Sequence, residues 1–336
     1  MMRLPSYRYR SPRTIADAAA WLADDPATTM LLAGGTDLIP NMKRRQQTPA
    51  TVIGLRGVEE LTRIANGRGL AIGAGVTLTT LVHDETLRGK YAGLWQAAAQ
   101  IATPHLRNMG TIGGNICLDT RCTYYDQTLE WRKAINFCMK KDGETCWVAP
   151  SSDRCLAVSS TDSAPALISL GATVRLVSAA GERDVALEDL YVNDGMHYLT
   201  RRPDEILTSV HLPASDGWRS TYWKLRRRGS FDFPVASVAA AARFDGDTIV
   251  DARIVLGAVS SRPLLVAAAG ERLAGQRLTA DMIVSVADDA YALAKPMDNT
   301  DFELVWRKKI VRSLVRSALM ELRGDDMREA RAKLRT

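Results

Sequence analysis

LLAGGTDL at residues 31–38 and RNMGTIGGN at residues 107–115 are two glycine turns whose reading decides the fold. Paired glycines after a strand let backbone N–H groups turn toward one point, and without Cβ atoms a phosphate can approach closely. Either cluster alone is also what an ordinary tight turn would use. Neither is the G-x-G-x-x-G dinucleotide fingerprint, because Gly34-Gly35 has no third glycine at the right offset. Two such clusters roughly 78 residues apart, each with a following polar side chain (Thr36 and Asp37, then Asn115), can grip the two ends of one pyrophosphate.

Working outward, Thr14 with Asp17 predicts a capped helix that carries Ile15, Ala18, Ala19 and Leu22 on one face. Strands are predicted over 30–32 and 51–55, and around Gly73 and Gly75 over 70–78. Helices follow over 78–87 and 94–101, ahead of the second glycine cluster. Asp162 and Pro165 lead a further helix, and 172–177, 206–212 and 221–226 read as strands. A hairpin over 237–244 and 248–258 turns at Asp245-Gly246. Helical spacing then fills 264–273, 280–294 and 302–322, the last with Val311, Leu314, Val315, Ala318 and Leu322. Strands followed by helices predict a C-terminal α+β domain beginning near 215–230.

The chain has 336 residues, of which 46% are hydrophobic, 24% charged and 6% aromatic, enough for two or three domains with their own cores. That excludes disorder and small disulfide scaffolds. The formal charge of +6 is gathered in short runs at 43–45, 226–228 and 307–316, without interleaved aromatics or a nucleic-acid motif, so solvated faces and anionic-cofactor contacts are expected and nucleic acid is not. The basic N-terminus MMRLPSYRYRSPR lacks the apolar run of a signal peptide, and no stretch approaches the ~20 apolar residues of a membrane span. A cytoplasmic protein with free or metal-bound thiols is expected.

All five cysteines, Cys117, Cys122, Cys138, Cys146 and Cys155, fall in one 39-residue window spaced C-x4-C-x15-C-x7-C-x8-C. Core packing would scatter them. The window has no sustained period and reads as a long irregular loop, a length that is usually functional or disordered. Without C-x2-C knuckles, the spacing predicts a four-thiolate site and leaves zinc and iron–sulfur equally open.

The glycine turns resemble those of the FAD-binding medium subunit of the xanthine oxidase family of molybdenum hydroxylases. The resemblance continues through Ser160 to Leu167 (STDSAPAL) and Tyr222-Trp223-Lys224 into the C-terminal region, covering nearly the whole chain. It implies an α+β protein: a two-subdomain FAD-binding fold of the vanillyl-alcohol oxidase/PCMH type over 1–57 and 58–220, and a C-terminal α+β domain over 221–336 with an antiparallel sheet and helices. Carried over by position, Leu32, Ala33, Gly34, Gly35, Thr36, Asp37, Leu38, Ile101, Thr111, Gly113, Gly114 and Asn115 would border FAD, with the two turns on its pyrophosphate. Asp162 would take the ribityl side, and Lys224 would lie near the flavin ring. A carboxylate accepts sugar hydroxyls, and a lysine stabilises negative charge that grows on flavin reduction. A helix cap for Asp162 and an exposed strand position for Lys224 are the plain alternatives.

Within that family the cysteine window, 117–157, resembles the 4Fe-4S insert of one branch, 4-hydroxybenzoyl-CoA reductase, through Asp119-Thr120-Arg121-Cys122, Tyr124-Tyr125, Trp131-Arg132 and Arg154-Cys155. The match implies Cys122, Cys138, Cys146 and Cys155 as ligands and leaves Cys117 as a packed residue near the flavin. Asp126-Gln127-Thr128 and Trp147 depart from the branch pattern, where Asn-Gln-Ser and a histidine are usual. Arg121, Arg132, Lys140, Lys141 and Arg154 lie close enough in sequence to offset a negative cluster. With four scattered histidines and no plant-type C-x4-C-x2-C run, the chain lacks the parts for substrate chemistry and is expected to transfer electrons. The resemblance implies a route from ferredoxin through 4Fe-4S and FAD to a small subunit with two 2Fe-2S clusters. The route ends at a large molybdenum subunit, in a dimer of heterotrimers that removes the phenolic hydroxyl of an aromatic CoA thioester. Two alternatives stand beside it: an oxidative molybdenum hydroxylase with a structural metal site (4Fe-4S or zinc) in the loop, and a zinc-stabilised flavin-binding or assembly module.

Overall fold

The computed structural model describes residues 3–334, folded around three sheets. The first is parallel, with Thr51–Gly54 between Arg8–Arg10 and Thr29–Leu32. The helix Ile15–Asp24 covers it as the cap predicted: Thr14 accepts the Asp17 N–H at 3.0 Å, and Ala18, Ala19 and Leu22 are buried. Strand Thr29–Leu32 runs straight into the first glycine turn.

The second sheet is antiparallel throughout, in the order Ile64–Asn66, Leu70–Gly73, Ile206–Leu212, Thr173–Ser178, Gly181–Ala186. Alternate residues of Thr173–Ser178 are buried, the signature of one face on a core. Strand Leu70–Gly73 ends earlier than the predicted 70–78, because residues 74–78 turn to meet the second glycine cluster. The helix predicted over 78–87 breaks into Leu78–His83 and Glu85–Lys90, since Asp84 caps the second piece by accepting the Leu87 N–H at 2.8 Å.

The third sheet, Leu264–Leu265, Thr248–Gly257, Ala236–Asp245 and Trp218–Leu225, is also antiparallel and contains the predicted hairpin. It is buried on both faces, which explains a run such as SVAAAA. Tyr222, Ala239, Ala241 and Val255 join the core beneath the second sheet. Trp223, Val238, Ala240, Ala242 and Ile254 face the helices Ala280–Leu293 and Leu304–Arg323. The helix predicted over 264–273 is a two-residue edge strand followed by Ala267–Leu273, since Leu264 and Leu265 pair with Leu256 and Val255. Among the described residues no helix is long and apolar enough to cross a membrane.

Candidate functional site

The two glycine turns meet. A Cβ on Gly34 would lie 1.9 Å from the Met109 carbonyl oxygen, so nothing larger than hydrogen fits between them, and Gly35 takes φ +75° to turn the chain into helix Leu38–Lys43. The second turn is pinned to residues 74–78: Ile112 N–H donates to Val76 O at 3.0 Å, Gly113 N–H to Ala74 O at 2.9 Å, and Leu78 N–H to Gly110 O at 2.9 Å. Thr111 Oγ1 accepts from Gly114 N–H at 3.1 Å and starts the short helix Ile112–Ile116.

Both turns line one cavity of about 1030 Å³. Every residue expected to border a flavin, from Leu32 to Leu38, Ile101, Thr111, Gly113, Gly114, Asn115 and Asp162, lines this cavity except Lys224. Asn115 is a local hub, its Oδ1 accepting from Thr161 Oγ1 at 2.9 Å, Ser163 N–H at 3.0 Å and Ser163 Oγ at 2.6 Å. Asp162 stands at the start of helix Ser163–Ser169 but makes no capping bond. Its carboxylate instead accepts from Tyr222 Oη at 2.6 Å and Lys224 Nζ at 3.0 Å. Lys224, whose ammonium also reaches Gln100 O at 3.2 Å, is thus neither an exposed strand residue nor on the cavity wall, and stands directly behind Asp162. Burial pushes the Asp162 carboxyl up and the Lys224 ammonium down, and the attraction between them opposes both shifts.

Sequence reading missed the cavity's rim. Arg44, Gln47, Tyr198 and Arg201 border it, as do Phe231 and Phe233 on the segment after Leu225. The basic runs at 43–45 and 226–228 were the available signal, since Arg44, Arg227 and Arg228 all face the cavity.

The window is not wholly irregular. It holds a helix, Leu129–Ala134, capped by Thr128 Oγ1 accepting from Trp131 N–H at 3.3 Å. Its ends are joined by a two-way bridge, Arg121 N–H to Val158 O at 2.8 Å and Val158 N–H to Arg121 O at 2.7 Å. The C-terminal region secures both ends. Asn299 accepts from Thr123 N–H at 2.9 Å and donates to Leu156 O at 2.6 Å. Asn299 is in turn held by the buried Arg307, whose guanidinium donates to Met297 O at 2.7 Å and Asn299 Oδ1 at 3.4 Å. Burial lowers the Arg307 pKa to about 10.

Cys122, Cys138, Cys146 and Cys155 are buried free thiols that line one small second cavity with Tyr125, Lys140 and Trp147. Cys117 is half-buried and lines the large cavity instead. Among the described residues no group of three or more His, Cys, Asp or Glu side chains is arranged to hold a metal ion. One sulfur has a backbone donor, Ala157 N–H donating to Cys155 Sγ at 3.5 Å. Backbone N–H donors two residues on stabilise negative sulfur. Without a cation, burial dominates and pushes the thiols up, to about 12 for Cys122 and about 11 for Cys155. The fit to a metal centre lies in the donor set itself: four free cysteines buried around one cavity are the soft sulfur ligands that zinc and iron–sulfur centres take.

Arg121, next to Cys122, ties the two cavities together. Its guanidinium pairs with Asp37 of the first glycine turn and with Asp126 at 3.4 Å, and lies 4.7 Å from the Phe233 ring centroid. Asp126 in turn accepts the Cys122 N–H at 3.2 Å.

Comparison with known proteins agrees with this layout. Residues 5–215 match the FAD binding domain in molybdopterin dehydrogenase, and residues 220–322 the CO dehydrogenase flavoprotein C-terminal domain. The chain is 31% identical to the aldehyde oxidoreductase FAD-binding subunit PaoB of Escherichia coli K12, over 94% of this chain and 99% of that one. It is 30% identical to the carbon monoxide dehydrogenase medium chain of Afipia carboxidovorans, over 94% of this chain and 96% of that one. In structure it is similar to reconstituted CO dehydrogenase from Oligotropha carboxidovorans, with a TM-score of 0.80 and 28% identity over 97% of this chain and 100% of that one.

Proposed function

Because the chain belongs to the FAD-binding medium subunits of the xanthine oxidase family of molybdenum hydroxylases, we propose that it carries two redox centres, FAD in the large cavity and a 4Fe-4S cluster on Cys122, Cys138, Cys146 and Cys155. The observation that carries this reading is the pocket of four buried thiols, whose lining residues Tyr125 and Lys140 are hydrogen-bonded to Asp119 of the cavity lined by both glycine turns. Backbone amides at 33–38 and 111–115 hold the pyrophosphate, and Asp162 accepts hydroxyls of the ribityl chain. Lys224 fixes the Asp162 carboxylate from behind and acts on the flavin through it. FAD exchanges electrons one or two at a time, which suits it to stand between an iron–sulfur chain and another carrier. A single zinc, with sulfur about 2.3 Å from the metal, would draw its ligands to one point, whereas a cluster spans sulfurs that stay apart around a cavity. The free thiols suit a cytoplasmic location.

Substrate chemistry then belongs to a large molybdenum subunit, reached through a small subunit with two 2Fe-2S clusters. The units of this chain are 1–57, 58–220 with the insert 117–157, and 221–336. We favour an oxidising complex in which electrons leave through this chain, since its relatives include subunits named for an aldehyde oxidoreductase and for carbon monoxide dehydrogenase. The second reading is a 4-hydroxybenzoyl-CoA reductase that takes electrons from ferredoxin at the cluster, and the residue pattern of the insert supports it. Stopped-flow mixing separates the two: in the reductase, reduced ferredoxin bleaches the cluster before the flavin.

Metal and flavin analysis tests the central assignment. The purified full chain should carry one FAD and about four irons with matching acid-labile sulfide. Cys138→Ser should lose the iron and keep the flavin. One zinc without sulfide, or unchanged iron in the variant, overturns the cluster.

A further inference from the structure

The wall between the two cavities holds a buried cation. Besides the exposed Lys133, five basic side chains lie among the cysteines in sequence, and the structure separates them. Arg121 pairs with Asp37 and Asp126. Arg132 donates to Arg44 O at 2.9 Å, Lys141 pairs with Asp142 at 3.3 Å, and Arg154 reaches Asn193 O at 2.8 Å. Lys140 is the one that lines the thiol cavity, with only 6% of its side chain exposed.

Its ammonium is fixed on several sides. It pairs with Asp119 Oδ1 at 2.8 Å and donates to Thr120 Oγ1 at 2.8 Å and Gly195 O at 2.7 Å. The ring centroids of Tyr125 and Tyr198 lie 4.9 and 5.4 Å away. Asp119 and Tyr198 face the flavin cavity, while Lys140 and Tyr125 face the thiols. Tyr125 Oη also donates to Asp119 Oδ2 at 3.1 Å, so Asp119 joins both thiol-side residues to the flavin side.

We propose that Lys140, held by Asp119, sets the reduction potential of the cysteine-bound cluster. This inference rests on the cluster reading above. Four thiolates give the site a negative charge, and one-electron reduction adds another without forming or breaking a bond at Lys140. A fixed positive charge in a poorly solvated wall favours the reduced form, and its counter-charge tempers that effect. Lys140 is therefore a tuning and positioning residue, and Asp119 sets how strongly it acts.

The experiment is a dithionite titration of the full chain, loaded with iron and flavin, against dye mediators and followed by EPR, with iron and acid-labile sulfide assayed in each sample. In Lys140→Gln the equilibrium constant for one-electron reduction should fall about tenfold, equivalent to about 59 mV. Lys140→Arg should restore most of the loss. Asp119→Asn, which leaves the ammonium uncompensated, should shift the potential in the opposite direction. A merely structural role would not give opposite signs. Native-like potentials in both Lys140→Gln and Asp119→Asn overturn the proposal. If Lys140→Gln fails to hold iron, an unchanged or lowered potential in Asp119→Asn overturns it alone. A native chain without iron and sulfide sinks the cluster reading itself, whereas iron present with unmoved potentials sinks only this inference.

Discussion

The large cavity is shaped by backbone brought from distant parts of the chain, and the small one by side chains from a single segment. Residues 31–38, 107–115 and Asp162 converge on the first, and the absence of a side chain at Gly34 is what lets the turns touch. The second is lined by residues 122–157, with the four buried sulfurs as the proposed ligands. The difference teaches where each site is fragile: added bulk breaks the first, and exchanged chemistry breaks the second.

The sharpest way to break that contrast is Gly34→Ala. With the new Cβ 1.9 Å from Met109 O, the backbone of one turn must move, and overpacking of this kind costs about 1–3 kcal/mol or more. Flavin content should fall below about a tenth of native while iron stays near native, the mirror image of Cys138→Ser. Gly89→Ala, with nothing within 4 Å of its Cβ, is the control and should leave both centres in place. Retained flavin in Gly34→Ala would mean that the turns do not meet in solution.

Asn115→Ala should act more mildly. It removes the acceptor for Thr161 and for both Ser163 donors, a loss of about 1–3 kcal/mol that urea unfolding would register, with weaker flavin binding and unchanged iron.

The smallest effect concerns acid. Burial pulls Glu205 up, but hydrogen bonds from Arg183 at 2.6 Å and the Arg202 N–H at 2.7 Å outweigh it and hold the carboxyl below its ordinary value. Glu321 behaves likewise, with burial outweighed by Arg331, Thr221 and Trp223. A carboxyl with a lowered folded pKa stabilises the fold above its unfolded pKa of about 4.3, and that contribution is lost as pH falls through the folded value. Urea midpoints should thus be flat from about pH 7 to 5 and drop below about 4, and Glu205→Gln should blunt the drop. A drop of native size in Glu205→Gln would contradict the Glu205 assignment.

Much of the fold was legible because local signals and long-range packing agree. Thr14 capped its helix, the Asp245-Gly246 pair marked the hairpin, and the glycine turns lie against each other. What was missed lacked a local signal or had one overruled. Strand Gly181–Ala186 is a polar edge, GERDVA, with no apolar alternation to read. The break at Asp84 was signalled by a good capping residue but hidden by continuous apolar spacing. Lys224 was expected near the flavin only by its position in the family resemblance. Strand alternation puts it on the same face as Tyr222, and both side chains close on Asp162. Lys140 was one of five equivalent charges until the fold buried it.

The bridge between Arg121 and Val158 has a consequence for how the insert can come and go. Because everything from Cys122 to Ala157 leaves and returns through one pair of adjacent residues, the segment lies downstream of both glycine turns and does not lengthen the chain between them. The entropy of closing such an excursion grows only with the logarithm of its length, about 0.6 kcal/mol per doubling. The cysteine segment is therefore a cassette, and a short turn joining Arg121 to Val158 would leave untouched the hydrogen bonds that pin the second glycine turn to residues 74–78.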